Sequence, residues 1–377
     1  MKWARNSVTL ILYLIIVADK ILQLLAFTTG GMIVAIVSNV LLLRFSRSLG
    51  IRNKNDVIIR WSNESKPSLG GVSFFVVFVF AAIAYSIVFN EAPNIFQNKQ
   101  YVGLFTAGTL AFLMGLADDA YNTKPMIKLL VQILCGVLFV ITGSSIEFFH
   151  IAYLDWTLTV VWVVVVMNSL NMLDNMDGIT GTTVLFILLA CIFSMWIIFP
   201  FNINIWTLML VSVLGAVIGF LTMNVHPSKL FMGDAGSQFI GLFVAFFGMR
   251  YLWNIGTAVP GEPHPSWLGL CVTIVAFTPA AVDTLTVVIN RLKRGQSPMV
   301  GGKDHTTHHL VYAGLSDRKV WLVFVLIGAL SCILAVAMVN MISLGLYTSI
   351  PLFVVFTVFV FAILYRNTLK FKAPKKK

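Results

Sequence analysis

The sequence predicts an all-α polytopic membrane bundle of about eleven transmembrane helices, and three observations carry that prediction. Apolar blocks of 17 to 23 residues recur along the whole 377-residue chain, each long enough to cross ~30 Å of hydrocarbon as a helix. Only 11% of the residues are charged against 58% hydrophobic, where a soluble domain carries roughly 25% charged. Lys and Arg concentrate in alternate connections between the blocks, the pattern of a chain that crosses a bilayer repeatedly.

The blocks fall near 31–47, 72–90, 101–117, 126–143, 156–172, 179–199, 203–223, 236–256, 267–289, 320–342 and 345–365. Residues 8–27 form a further apolar segment, weakened as a span by Asp19-Lys20. We divide the chain into an N-terminal hydrophobic segment (1–30), a transmembrane domain (31–366) and a basic tail (367–377). The start at Met1 to Arg5 has signal-peptide character, but no clear small-residue cleavage site follows, so a retained segment is expected. Cys135, Cys191, Cys271 and Cys332 all lie inside apolar blocks without metal-ligand spacing, which predicts core residues.

One set of connections holds Arg52, Lys54, Arg60 and Lys66, then Lys124 and Lys128, Lys229, the Arg291 to Arg294 run with Lys303, and the Lys370 to Lys377 tail. The other set holds little beyond Lys99 and Arg250. Positive charge marks the cytoplasmic side, so the first set and the C-terminus are expected there, in a multi-pass inner-membrane protein. The net charge of +11 then reads as orientation plus handling of anionic substrates. No nucleic-acid motif is present.

The acids decide what the chain does. Asp118 and Asp119 end the 101–117 block, and Asp174 and Asp177 follow the 156–172 block. Asp234 lies between 203–223 and 236–256, Asp283 near the end of 267–289, and Asp304 in the next loop. All seven fall on the predicted cytoplasmic side, among Lys128, Arg291, Arg294, Lys303, His305, His308 and His309. Each has an ordinary reading. An acidic pair at a helix end is commonly a solvated terminus, although adjacent carboxylates couple their titrations. Asn168, Asn171 and Asp174 share a helix face, and Asn stripes glue helices together. Asp177-Gly178 alone is a turn signal. Asp234 near a helix start is ordinary capping, but Gly233 and Gly236 allow close backbone approach and free N–H groups that favour phosphate. His305 and His309 are spaced to share a helix face. Zinc is conceivable there, but the hard oxygen donors elsewhere suit Mg²⁺ better, with Mn²⁺ as the alternative. Oxygen ligands, cations and a membrane boundary are the parts needed for phosphoryl transfer between a soluble nucleotide and a lipid.

In order, these elements are Pro67 to Gly71, Gly115 to Asp119 with Pro125 and Lys128, Asn168 to Gly178, Phe231 to Ser237, Pro279 and Asp283 through Pro298, and Asp304 to Leu310. Together they resemble the polyprenyl-phosphate N-acetylhexosamine-1-phosphate transferase family, to which the phospho-MurNAc-pentapeptide translocase is related. The resemblance implies transfer of an N-acetylhexosamine 1-phosphate, with N-acetylglucosamine the expected sugar, from a UDP-sugar to undecaprenyl phosphate. UMP is released, at the first membrane step of envelope polysaccharide synthesis. By matched position it implies Asp118, Asp119, Lys128 and Asp234 as catalytic residues, with Asn171 and Asp234 as Mg²⁺ ligands. It implies Asn168, Asp174, Asp177, Arg291, Lys303, His305, His308 and His309 as substrate-binding, and it allows a homodimer. The last motif lacks the three consecutive His of the pentapeptide translocase and differs from the His-x-His-His form of several N-acetylglucosamine enzymes, and Lys303 stands where relatives often carry Arg. A secondary transporter is the competing class. Such proteins bind near the midplane on broken, internally repeated helices, whereas these acids sit at helix ends and no repeat is found.

Overall fold

The computed structural model describes residues 2–46, 67–89, 95–200, 202–259, 264–298 and 301–373, with backbone alone over 2–14 and at 46. The basic loop of Arg52, Lys54, Arg60 and Lys66 and the last residues Lys375 to Lys377 lie outside the described residues. Among the described residues there is no strand. Within those residues eight helices are long and apolar enough to cross a membrane, a ninth arises if one bent pair counts as a span, and two shorter apolar helices accompany them.

The chain opens with α1 (Lys2–Ser46), one unbroken helix of 45 residues carrying both the 8–27 and the 31–47 blocks. At 1.5 Å per residue it is ~67 Å long, about twice the hydrocarbon thickness. There follow α2 (Val72–Val88), α3 (Lys99–Tyr121), α4 (Pro125–Ile141), α5 (Ala152–Leu173), α6 (Ile179–Ile198) and α7 (Ile205–Asn224). Helix α8 (Gly233–Gly248) runs on through a π-helical turn, Met249–Trp253. The rest comprises α9 (Trp267–Ala276), α10 (Thr278–Lys293), the short α11 (Thr306–Tyr312), α12 (Asp317–Ser343) and α13 (Ile350–Lys370).

The core is built around α8, whose residues from Ala235 to Gly248 are all buried, with α3 and α5 as its main neighbours. Phe239, Phe243 and Phe247 recur at i, i+4 and stack along one side, with ring centroids 6.0 and 4.6 Å apart. Phe75 and Phe78 of α2 close against Phe239. Helix α1 packs on α7 through small residues: a Cβ at Gly31 would lie 2.2 Å from the Ser212 carbonyl oxygen, and one at Gly215 would lie 2.0 Å from that of Thr28. Small residues permit this approach, which membrane helices use because lipid supplies no hydrophobic drive between them. Cys135, Cys191 and Cys332 are buried and Cys271 is half-buried, all as free thiols.

The 267–289 block, expected as one span, is broken: α9 and α10 bend by 82° at Phe277. Pro279 has no N–H to donate, and its ring crowds the carbonyl one turn back. The Thr278 hydroxyl satisfies the freed Val275 carbonyl at 2.8 Å and meets the Thr357 hydroxyl at 2.7 Å. The bend buries Asp283 completely. The last block also shifts, starting at Ile350 with Pro351 in its first turn.

Candidate active site

Four helices converge at one end of the bundle. Helix α3 stops at Asn122, which takes the left-handed conformation (φ 51°), and Pro125 opens α4 where a missing N–H costs nothing. In the turn between them, the Thr123 N–H and hydroxyl both donate to Asp118 Oδ1, at 2.8 and 2.7 Å. Lys128, one turn into α4, therefore faces back toward α3: its Nζ contacts Asp118 Oδ2 and lies 3.8 Å from Asp234 Oδ2. Asn171, near the end of α5, donates its amide nitrogen to Asp234 Oδ1 at 2.5 Å and to Ser237 Oγ at 2.8 Å. Asp118, Lys128, Asn171 and Asp234 are thus brought together, as their sequence order suggested. Asn171 here presents nitrogen to Asp234, so its amide oxygen points elsewhere.

Asp119 faces a different way from its neighbour. Its two oxygens accept the backbone N–H groups of Asp234 at 3.0 Å and Ala235 at 2.9 Å. A carboxylate there satisfies donors with no partner in the helix and complements the helix dipole. The sequence reading of free N–H groups awaiting phosphate is therefore corrected for these two: α3 already occupies them. Gly233 has φ +78°, and a Cβ on it would lie 2.2 Å from the Ser68 carbonyl oxygen. Cβ atoms on Gly71 and Gly115 would fall 2.0 Å from Gly236 Cα and 2.3 Å from the Asp234 carbonyl oxygen. The glycines of three motifs are thus one packing unit that seats α8.

One turn deeper lies an amide layer that sequence reasoning missed. Gln132 and Gln238, both buried, are bonded at 3.1 Å, and Gln132 exchanges bonds of 2.6 and 3.3 Å with Asn168. Asn168 also donates to the Val164 carbonyl at 2.9 Å. Its amide is spent between helices, under the site and not in it. Gln132, Asn168 and Gln238 stand four, three and four residues from Lys128, Asn171 and Asp234, so each member sits on the same helix face as one site residue. Glutamines inside apolar helices were the available signal.

The segment after α5 forms a second group. Asp174 is half-buried. Burial, reinforced by the Asp119 and Asp177 carboxylates and only partly offset by the nearby Thr180 hydroxyl, pushes its carboxyl up to about 7. Asp177 accepts the Ser228 N–H and hydroxyl at 3.0 and 2.8 Å and meets His226 Nδ1 at 3.2 Å. It thereby ties the α7–α8 loop to the start of α6. Gly178 donates to Asn224 Oδ1 at 3.0 Å.

The third group is the His segment. Asp283 accepts the Thr306 N–H at 2.8 Å and its hydroxyl at 2.6 Å, and pairs with His305 Nδ1 at 2.8 Å, so it caps α11 from α10. His305 is the cap residue itself, and the His309 Nδ1 meets the Phe371 carbonyl; the two rings go to different partners. Arg291, buried, forks onto Asp304 through Nε at 3.1 Å and Nη2 at 2.7 Å, and Arg294 adds a further bond. Burial would raise the Asp304 carboxyl, but these guanidinium groups, Arg291 first, hold it down at about 2. Burial, with the nearby His305 charge, pulls His308 down to about 3, and burial lowers His309 as well. Lys303 is exposed. The Thr307 hydroxyl donates to Asn175 Oδ1 at 2.7 Å, which links this segment to the one after α5.

No three His, Cys, Asp or Glu side chains among the described residues are placed to hold a metal ion. The donors present are two carboxylates and an amide. Such a set fits Mg²⁺, which is usually held by one or two carboxylates together with substrate phosphates.

Residues 101–251 match the family described as glycosyl transferase family 4, a stretch that runs from α3 through the π turn and holds the whole first group. A probable undecaprenyl-phosphate N-acetylglucosaminyl 1-phosphate transferase of Bacillus subtilis is 27% identical over 304 residues, 78% of each chain. An undecaprenyl-phosphate α-N-acetylglucosaminyl 1-phosphate transferase of Yersinia pestis is 27% identical over 79% of this chain and 78% of its own. A decaprenyl-phosphate N-acetylglucosaminephosphotransferase of Mycolicibacterium smegmatis is 26% identical over 70% of each. The matched stretch, which holds Asp118, Asp119, Lys128, Asn171 and Asp234 in one constellation, is similar to glycosyl transferase family 4.

Proposed function

We propose that the protein transfers N-acetylglucosamine 1-phosphate from UDP-N-acetylglucosamine to a polyprenyl phosphate, undecaprenyl phosphate being the expected acceptor. A lipid phosphate oxygen bonds to the β-phosphorus of the sugar nucleotide. The bond from that phosphorus to the bridging oxygen breaks, and UMP leaves with the electron pair. One phosphoanhydride replaces another, so the step is readily reversible. The observation that carries the reading is Lys128 standing between Asp118 and Asp234 at the helix ends, a cation set between two hard oxygen donors where a diphosphate needs both.

Catalysis of this kind is positioning plus charge neutralisation. Lys128 supplies a compact positive charge to the diphosphate, and Asp118 holds that ammonium in place while orienting the incoming lipid phosphate. Asp234, Asp118 and the amide oxygen of Asn171, with the amide turned over, are the residues that would hold Mg²⁺. When bound, Mg²⁺ supplies charge neutralisation on the diphosphate and the departing UMP. Asp119 fixes Asp234 by capping its helix. The Asn175–Thr307 link supports reading the segment around Asp174 as the nucleotide side of the site, next to the His segment, where Arg291 and Asp304 hold the loop carrying Lys303.

The basic residues at this end, among them Lys124, Lys229, Arg291 and Arg294, support a cytoplasmic site in the inner membrane by the positive-inside rule, on the side where UDP-sugars are made. The test is UMP release by the reconstituted protein from UDP-N-acetylglucosamine, UDP-N-acetylgalactosamine and UDP-MurNAc-pentapeptide, each with undecaprenyl phosphate and Mg²⁺. Turnover with the first, lost by about 100-fold or more in Asp118→Asn and Asp234→Ala, is expected. Near-normal turnover in either folded variant overturns the reading.

A further inference from the structure

A cavity of about 280 Å³ opens at the other end of the bundle. Arg250 lines it, together with Asn202, Asn204, Tyr251, Asn254 and Thr257. Arg250 is sixteen residues beyond Asp234, ~24 Å along the helix, and so near the far edge of a hydrocarbon layer ~30 Å thick. It sits in the π turn, a feature frequent at functional sites.

Arg250 is unusually placed for a membrane cation. Its guanidinium packs 4.7 Å from the centre of the Trp206 ring and donates through Nη1 to Gln100 Oε1 at 2.9 Å, with the Tyr251 hydroxyl as a further contact. No carboxylate of the described residues is within ion-pair distance of it. A guanidinium has five N–H donors, and among the described residues only Gln100 and the Tyr251 hydroxyl face them. The neighbouring groups deepen the imbalance. Asn204 uses its side-chain oxygen to cap α7 through the Thr207 N–H at 3.1 Å, which leaves its amide N–H groups as donors. Asn254 is spent on Ser145 and the Glu147 N–H. Asn202 is exposed at the rim. Among the described residues, the cavity is thus lined by amide and guanidinium donors with one positive charge, beside the apolar Met195, Phe199 and Ala258.

We propose that this cavity binds a phosphate group at the membrane face opposite the reaction centre, with the Arg250 guanidinium and the Asn202 and Asn204 amides as donors. Its depth suits the phosphate layer of a bilayer, and a desolvated cation there gains most from a fixed anion. A lipid headgroup and a free phosphate offer the same chemistry, and the experiment separates them.

The full-length protein is purified in a maltoside detergent, which carries no phosphate, with or without added phosphatidylglycerol, and separately with inorganic phosphate. Thermal unfolding is followed in wild type, Arg250→Gln and Asn202→Asp. Asn202→Asp places a carboxylate at the exposed rim and keeps Arg250, so it serves if Arg250→Gln does not fold. A Tm rise of a few degrees with phosphatidylglycerol, absent in the variants, assigns the site to a lipid headgroup. The same rise with inorganic phosphate alone assigns it to a free phosphate. Equal shifts in wild type and Asn202→Asp, or no shift with either probe, overturn the proposal. Loss of UMP release with an intact lipid-dependent shift would bear on the proposed reaction and not on this site.

Discussion

Asp119 of α3 holds the first turn of α8 by accepting the Asp234 and Ala235 N–H groups, at 3.0 and 2.9 Å. This makes the neighbour of one proposed catalytic acid the mount of another. Asp119→Ala should therefore lower stability by about 1–2 kcal/mol, the usual worth of a cap, and lower turnover because Asp234 moves with its helix. Asp119→Asn keeps a side-chain oxygen that can accept one of the two N–H groups, so it should recover part of both. Unfolding and UMP release, measured together, check this. Wild-type stability in Asp119→Asn with no turnover would give Asp119 a direct part in the chemistry instead.

Lys128 is the only cation bridging the two carboxylates among the described residues. Lys128→Met leaves Asp118 and Asp234 facing each other without it and removes the charge meant for the diphosphate. Turnover should fall by about 100-fold or more. Lys128→Arg keeps the charge but spreads it over a planar fork, and a measurable fraction of activity should survive. If Arg and Met variants are equally inactive, the compact ammonium, and not charge alone, is what the site requires.

Much of this was legible in the sequence because membrane helices announce themselves by length and apolarity, and because polar residues among them are costly. Asp118, Lys128, Asn171 and Asp234 could be grouped from their placement at helix ends on one side. What could not be read was which partner each carboxylate takes. Asp119 and Asp177 find theirs 115 and 51 residues away, and no spacing rule reaches that far. The 82° break at Phe277 carried a visible sign, Pro279, but a proline inside an apolar block can also be absorbed by a gentle kink. The Gln132–Asn168–Gln238 layer has a cross-helix geometry that exists only once α4, α5 and α8 are packed.

Two adjacent glycines in α1 give a clean test of the packing. A Cβ on Gly31 would meet the Ser212 carbonyl oxygen of α7 at 2.2 Å, whereas one on Gly30 would have nothing within 4 Å. Gly31→Ala should destabilise by about 1–3 kcal/mol through overpacking against backbone that cannot yield. Gly30→Ala should be neutral or stabilise by about 0.5–1 kcal/mol, since a helical Gly only costs entropy. Unfolding of both proteins in the same lipid reads the difference. Equal effects would mean that α1 does not sit on α7 as described.

The His segment sets an acid limit on stability. Burial, with the His305 charge, holds His308 down at about 3 in the folded protein, while an unfolded His titrates near ~6.5. Between those values the unfolded chain binds the extra proton, so stability rises with pH there and is lost as pH falls below ~6.5. The loss is up to about 1.4 kcal/mol per pH unit. Asp304, held at about 2 by Arg291 and Arg294 against its burial, also resists protonation when folded, but its loss begins only below ~4. The two windows overlap only between ~4 and ~3. His309 is lowered in the same sense and Asp174, raised to about 7, acts in the opposite sense over the same range, so replacing His308 by Asn should reduce the rise of stability with pH between ~6.5 and ~4 by up to one proton's worth, about 1.4 kcal/mol per pH unit, and leave the fall below ~4. A variant that keeps the full wild-type slope from ~6.5 downward would show that another group carries that titration.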